Sequence, residues 1–392
     1  VVQFSVFDKC AFLFLEIINN MSHIGITSES IARPAPGLHV PLSLQFSPDE
    51  KTLTYLFQED SSSRQLFGVD CTSSDFQPRK MLDTSEENTI LTAEEALRRE
   101  RMRLFADGVV SYEWVGNNSI MLPFNGKVMQ VNPDNSTSRI LYDASAGACI
   151  DPHMSPDASS LAFVMNDNLW IQHITASNSG NGNNTSMPTR LTENGLASGI
   201  QCGAADYIAQ EEMDRYRGYW WSKDSQYIAY TETDENNVQE YSILHQGKSD
   251  PKHSETNRYP FAGENNPFVK LAVLKVPTVG STDPPESIWM DLTGDNVTNP
   301  QIDSNDYCLG RVGWWSDGSI MAQVENREQT ILQLLRLDVI TGKRSILIEE
   351  KSSIWINLHD MLYEEFPPNW TPSGNVNDKE DGDFYFIWGS ER

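Results

Sequence analysis

Basic residues are scarce. Across 392 residues, 29 Lys and Arg stand against 55 Asp and Glu, a formal charge of −26. A nucleic-acid partner is not expected, because phosphate backbones select basic surface. An acidic field suits cationic partners instead, among them peptides with free amino termini. Cysteine is scarce too. Cys10, Cys71, Cys149, Cys202 and Cys308 are scattered, odd in number and never spaced as CxxC. That argues against a disulfide framework and a structural zinc site, and it points to a reducing, cytoplasmic compartment. Long apolar runs are missing. The stretch Cys10–Leu15 with Ile17 and Ile18 is broken by Glu16 and lacks a basic lead-in. It is far shorter than the roughly 20 residues of a membrane helix and a poor fit to a secretory signal, so no membrane association is expected. The chain opens on Val rather than Met, so a preceding piece is expected, and residues 1–37 are set apart from the fold.

Several catalytic signatures are absent from the sequence. There is no G-x-S-x-G nucleophile elbow, no H-E-x-x-H zinc motif and no Gly-rich phosphate loop. The seven histidines have no ligand spacing, so no metal and no cofactor are expected. His359, after the apolar stretch of "INLHD", reads as a satisfied, partly buried side chain.

What is present is strand alternation, repeated. "FSPDEKTLTYLF" begins at Phe46, "MSPDASSLAFVM" at Met154, "WSKDSQYIAYTETD" at Trp221 and "WSDGSIMAQV" at Trp315. Each is an apolar residue, a Ser/Asp turn and then alternating apolar residues. The Ser and Asp side chains make tight turns by bonding their own backbone. The alternation buries one face of a strand. In the last unit Ile331, Leu335, Leu337 and Val339 share a face of a second strand, closed by "ITGK". A recurring turn–strand unit over this length reads as small antiparallel sheets stacked radially, an all-β propeller; a β-sandwich with Ser-Asp turns is the alternative. Polar stretches at Ile174–Pro188, Gly280–Ser287 and Pro367–Asp383 read as loop excursions.

Two short helices interrupt the strands. "TAEEALRRERMRLFADG" has the Thr92/Glu95 spacing of a capping box, i,i+4 pairs Glu94–Arg98 and Glu95–Arg99, and a stop at Gly108. Arg99, Arg101 and Arg103 fall on different faces; spacing alone favours a solvated basic face, and the alternative is a guanidinium turned inward, which suits a carbonyl or carboxylate. "DYIAQEEMDRYRG" reads as a helix from Ala209 to Arg215 stopped by Gly218. Here Glu211 has an i,i+4 partner in Arg215. Alternatively, Glu211 and Glu212 converge on one ammonium group through charge-assisted hydrogen bonds.

These segments carry a resemblance. "ADYIAQEEMDRYRGYWWSKDSQYIAYTETDE", "LRRERMRLFADGVVSYEW", "RYPFAGENNPFVKLAVLKV" and "VGWWSDGSIMAQVENREQTILQLLRLDV" with "IWINLHD" occur in the order seen in dipeptidyl peptidase IV-like prolyl peptidases. The likeness runs from about Leu38 to the C-terminus and is greatest to plant and bacterial members and the cytosolic eight/nine branch. The resemblance implies an eight-bladed propeller joined to an α/β-hydrolase domain in a serine exopeptidase that releases Xaa-Pro or Xaa-Ala dipeptides. Glu211 and Glu212 match the acid pair that takes the substrate's ammonium. Arg103 best matches the arginine on a substrate carbonyl, with Arg101 as fallback. The family's catalytic Ser, Asp and His lie on the hydrolase domain, which this sequence does not reach. The expectation is a propeller truncated within a late blade, 38–392, without catalytic residues of its own. The resemblance further implies the hydrolase domain as a partner and a homodimer in the longer form. A non-catalytic propeller that serves as a binding scaffold is the alternative.

Overall fold

The recurring Ser/Asp segment folds as one hydrogen-bonded device. Ser47, Ser155 and Ser222 each donate their hydroxyl to an aspartate two residues on, Asp49, Asp157 and Asp224, at 2.7, 2.6 and 2.6 Å. Each serine Oγ also accepts a backbone N–H five residues ahead, from Thr52, Ser160 and Tyr227. The residue after each aspartate, Glu50, Ala158 and Ser225, is left-handed, with φ of 58°, 60° and 62°. Gly318 fills that place in the fourth copy, at φ 82°. A tight turn followed by a left-handed residue lets a strand fold back at once on its neighbour.

The computed structural model describes residues 40–58, 63–82, 84, 91–104, 106–116, 118–174, 187–244, 254–281, 284–294, 302–360, 362–363 and 386–389. The N-terminal apolar run, Glu94's side chain, all of Pro367–Asp383 and most of Ile174–Pro188 lie outside those residues. The chain divides into two units, 1–161 with 172–187 and 162–171 with 188–392.

In the first unit, β1 (Leu42–Phe46), β2 (Thr52–Phe57), β3 (Ser63–Asp70) and β4 (Pro78–Leu82) form an antiparallel meander. Helix α1 (Ala93–Arg101) follows, then β5 (Asp107–Gly108), parallel to β3. A second meander takes β6 (Glu113–Val115), β7 (Ser119–Phe124), β8 (Lys127–Asn132) and β9 (Thr137–Tyr142). Apolar side chains of both sheets, among them Leu56, Leu66, Ile120, Leu122 and Val131, bury one core. Strands β10 (Ile150–Met154), β11 (Ser160–Met165), β12 (Asn168–His173) and β13 (Thr189–Arg190) come next, and the division between the units falls inside β11 and β12.

In the second unit, β14 (Ile200–Cys202) precedes α2 (Tyr207–Glu211), β15 (Tyr219–Trp221) and β16 (Tyr227–Asp234). A separate ribbon, β17 (Glu240–Leu244) with β18 (Ser254–Arg258), leads to β19 (Phe268–Lys275) and β20 (Ser287–Trp289). The sheet order is β14-β16-β19-β20, with β15 also on β16. The next meander is β21 (Tyr307–Trp314), β22 (Ile320–Asn326), β23 (Ile331–Leu337) and β24 (Arg344–Lys351). Last comes a two-residue ribbon of β25 (Leu362–Tyr363) and β26 (Ile387–Trp388). Four-stranded meanders in succession are propeller blades, whereas a sandwich threads its strands as Greek keys. The all-β propeller reading therefore holds.

Ile331, Leu335, Leu337 and Val339 do pack in one core cluster, with Leu271, Val273, Ile320 and Val324. Val339 lies in the turn after β23. Leu332 and Leu334 are fully buried as well, because β23 is an inner strand with a register shift after Leu334. Among the described residues, Cys71, Cys149, Cys202 and Cys308 form no disulfide. No described helix is long and apolar enough to cross a membrane.

Among the buried carboxylates of the second unit, Asp206, Glu232 and Glu325, the last is the most deeply enclosed. Glu325 on β22 has no exposed surface, its Oε1 has no hydrogen-bond partner among the described residues, and its Oε2 accepts from Gln329 at 3.3 Å. Burial pushes its carboxyl up to about 7, against Gln329 and Arg311. The folded protein then holds a proton that the unfolded chain has released above pH 4.5. By linkage, stability falls as pH climbs from 4.5 towards 7. Glu325→Gln removes this dependence. In urea unfolding its advantage over wild type should grow from near zero at the acid end of the window to about 3 kcal/mol above it. A difference independent of pH would contradict this assignment.

Candidate functional site

Glu211 and Glu212 end a short helix that is fixed at its neck. Asp206 is the N-cap of α2 and accepts from the N–H of Ala209 at 3.1 Å. The helix closes at Glu211 rather than running to Arg215, with Glu212 as C-cap and Asp214 left-handed at φ 53°. The chain then turns back, and Arg217 bridges to Ala204. Gly218 is required at that crossing: a Cβ there would lie 2.4 Å from the carbonyl carbon of Ala204 and 2.5 Å from Gly203 O. Gly218 thus closes the neck of the insertion instead of stopping a helix.

Arg215 explains why the loop stays folded. Its side chain is only 5% exposed and faces Asp206 Oδ2 at 3.4 Å. Nη1 donates to Arg217 O at 2.9 Å and Nε to Leu309 O on β21 at 3.3 Å. Burial disfavours the cation, Asp206 favours it and Arg311 adds like-charge repulsion. The i,i+4 pairing of Glu211 with Arg215 therefore gives way, because Arg215 turns inward to Asp206. Arg311, also on β21, donates to Met213 O and pairs with Asp360. Two guanidiniums thus tie residues 206–217 to the last large sheet and leave Glu211 half-buried and Glu212 exposed. Consecutive carboxylates at a helix C-terminus, where backbone carbonyls add negative potential, attract positive rather than negative charge.

A water-sized cavity of about 20 Å³ lies behind α2, lined by Asp206, Ala209, Met213 and Asn266 among others. Asn266 also borders an open polar cleft of about 410 Å³ with Asp234, Asn265, Asp306 and Arg327. Tyr207, the first residue of α2, meets Tyr259 edge-on with centroids 5.3 Å apart.

In the first unit, α1 begins as its sequence predicts. Thr92 Oγ1 accepts from Glu95 N at 3.2 Å. The carboxylate of Glu95 does not complete the capping box; it takes Arg99 Nε at 2.9 Å. Arg98 reaches Asp151 at 2.6 Å, with Glu95 at 3.8 Å. The helix ends at Arg101, well before Gly108. Arg103 N donates to Glu100 O at 3.0 Å and Leu104 N to Arg99 O at 2.8 Å, a Schellman closure. Arg103 itself takes the left-handed place, φ 57°, where glycine is usual. Gly108 serves elsewhere: a Cβ would strike Arg64 O at 2.3 Å. Arg99 is the arginine turned inward, 6% exposed; Arg101 is half-buried and Arg103 exposed, with Nη1 on Glu100 O at 3.1 Å. His359 lies against Trp388 with ring centroids 4.8 Å apart and the rings tilted by 54°, and its buried Nε2 meets no hydrogen-bond partner among the described residues.

Asp206 and Arg311 do not stand out in the sequence, and Arg215 stands out only as a partner of Glu211. Asp206 had a signal, an N-cap residue just ahead of an apolar run. Arg311, nearly a hundred residues away, had none. Asp206→Ala removes both the cap and the partner of a buried cation. It should cost roughly 3–5 kcal/mol in denaturant unfolding, whereas a loss under about 1 kcal/mol would mean that Arg215 does not need Asp206.

The comparisons agree with this architecture. The model of the dipeptidyl peptidase IV (DPP IV) N-terminal region matches residues 122–392. Helix α1 precedes that match. Human dipeptidyl peptidase 8 is 26% identical, over 70% of this chain and 34% of its own length. Venom dipeptidyl peptidase 4 of Apis mellifera is 27% identical, over 59% of this chain and 28% of its own. The chain therefore spans about a third of the length of the curated relatives it matches. The crystal structure of Porphyromonas gingivalis dipeptidyl peptidase 4 superposes with a TM-score of 0.55 at 17% identity, covering 80% of this chain and 40% of that one, which is a likeness of fold. With the family model matching well over half of its residues, the chain belongs to the dipeptidyl peptidase IV N-terminal region family.

Proposed function

We propose that this chain is the substrate-reading part of a serine dipeptidyl peptidase that removes Xaa-Pro or Xaa-Ala dipeptides. Glu211 and Glu212 take the peptide's terminal ammonium, and Arg103, with Arg101 as fallback, donates to a backbone carbonyl of the substrate. The hydrolytic Ser, Asp and His are supplied by a hydrolase domain outside this sequence. The observation that carries the reading is the acid pair at the end of α2, on a loop fixed by Arg215 and Arg311. A preorganised acid pair binds an ammonium without first ordering itself. Membership of the family and relatives named as dipeptidyl peptidases support the substrate class. The exposed side chain of Arg103, at the open end of α1 where Arg99 is turned inward, supports its role.

Calorimetry with a Gly-Pro peptide tests the amine. The free-amine peptide should bind, and its N-acetylated form should not. Glu211→Gln and Glu212→Gln should each cost roughly 1.5–3 kcal/mol of binding. Binding should also weaken as pH rises past about 8 and the ammonium deprotonates. Equal affinity for the acetylated peptide would refute the acid-pair reading. The chain alone should not turn over a Gly-Pro chromogenic substrate; release of chromophore would overturn the placement of the nucleophile elsewhere. Arg103→Gly separates fold from recognition. It should leave thermal stability unchanged or raised, because glycine suits the left-handed place, while peptide affinity falls; an unaltered affinity would remove Arg103 from the site.

A further inference from the structure

A chain of alternating charges in the first unit anchors α1 to the sheets beside it. Arg98 Nη2 donates to Asp151 Oδ1 at 2.6 Å. The same oxygen faces His153 Nε2 at 3.2 Å. His153 Nδ1 faces Glu113 Oε2 at 3.0 Å, and Glu113 Oε1 accepts the N–H of Met154 at 2.9 Å. The side chains of Arg98, Asp151 and His153 are all below a fifth exposed. Asp151 is left-handed, φ 50°, although it lies within β10. A non-glycine residue in that conformation carries strain, and its surroundings must over-determine it.

The geometry fixes the state of the histidine. Each ring nitrogen of a neutral imidazole is either a donor or an acceptor, and here both face carboxylate oxygens, which only accept. A neutral ring would set a lone pair against one carboxylate. The imidazolium donates to both. His153 meets Glu113 on β6 and Asp151 on β10; on α1, Arg98 lies on Asp151 and Glu95 pairs with Arg98 and Arg99.

We propose that His153 is a positioning residue: as an imidazolium between Glu113 and Asp151, it fixes Asp151 on Arg98 and so holds the arginine-bearing end of α1. The consequence for substrate rests on the reading of Arg103 given above; the anchoring itself does not. When the ring loses its proton, one carboxylate must move away, and the hold on Arg98 slackens. While Glu113 and Asp151 are ionised, the contact is therefore complete below the ring's own midpoint in the folded chain and lost as pH rises through it.

Histidine-labelled nitrogen NMR of the whole chain tests this, with the His153 signal assigned by its loss in His153→Gln. Near neutral pH both ring nitrogens should carry protons. Glu113→Gln, which keeps the shape of the side chain, should lower the midpoint of the ring. Wild-type melting temperature should fall across that midpoint, and His153→Gln should be flat there. A singly protonated ring at neutral pH, or a midpoint unmoved by Glu113→Gln, overturns the proposal. In peptide calorimetry, His153→Gln should weaken Gly-Pro binding several-fold below the midpoint and by little above it. If Arg103→Gly weakens peptide binding but His153→Gln binds peptide as wild type does at every pH, His153 does not position α1. If no peptide binds any form while the ring and melting behave as stated, the substrate reading fails and the anchoring stands.

Discussion

Arg215 is the constraint on which the site depends. A guanidinium 5% exposed carries a desolvation penalty of several kcal/mol, and Asp206 with the carbonyls of Arg217 and Leu309 offset it only if the loop folds as it does. The same aspartate caps α2, so the ion pair and the helix stand or fall together. Arg311 adds a second tie, from β21 to Met213 O. Residues 206–217 would otherwise be a polar excursion with little apolar burial. The two arginines convert it into a rigid ledge whose end bears two adjacent acids. Rigidity matters because binding an ammonium with flexible carboxylates loses much of its gain to ordering.

The blades supply the rest by repetition. Each Ser–Asp turn satisfies its own backbone and returns the chain on itself, so the strands that follow can devote their side chains to the core. The turns tolerate Glu50, Ala158 and Ser225 in the left-handed place, which shows that the hydrogen bonds from serine and aspartate, rather than glycine, hold the geometry. Charge behaves similarly on α1. Arg98 and Arg99 are spent on Asp151 and Glu95 and fix the helix, while Arg101 and Arg103 follow on its less buried end.

Much of this was legible in the sequence, and for local reasons. The turns repeat in four places, the alternation after them is a backbone property, and Thr92 announces α1. The extent of both helices was misjudged because their ends are set by contacts and not by glycine. Gly108 and Gly218 mark close crossings of the backbone, where a Cβ would collide, and only the folded chain shows what they meet. The pairing of Glu211 with Arg215 was plausible on helical spacing, yet burial beside Asp206 outweighs a solvent-exposed pair worth a few tenths of a kcal/mol. The His153 chain was invisible, since Arg98, Glu113 and Asp151 are brought together from three elements. Its recognition needed distances.

A crystal structure of the chain soaked with a short peptide that begins Ala-Pro tests the central claim most directly. The account predicts the terminal nitrogen within about 3 Å of carboxylate oxygens from both Glu211 and Glu212, with Arg215 still on Asp206. A peptide seated elsewhere with its amine in solvent, at full occupancy and with the acid pair unoccupied, would contradict it.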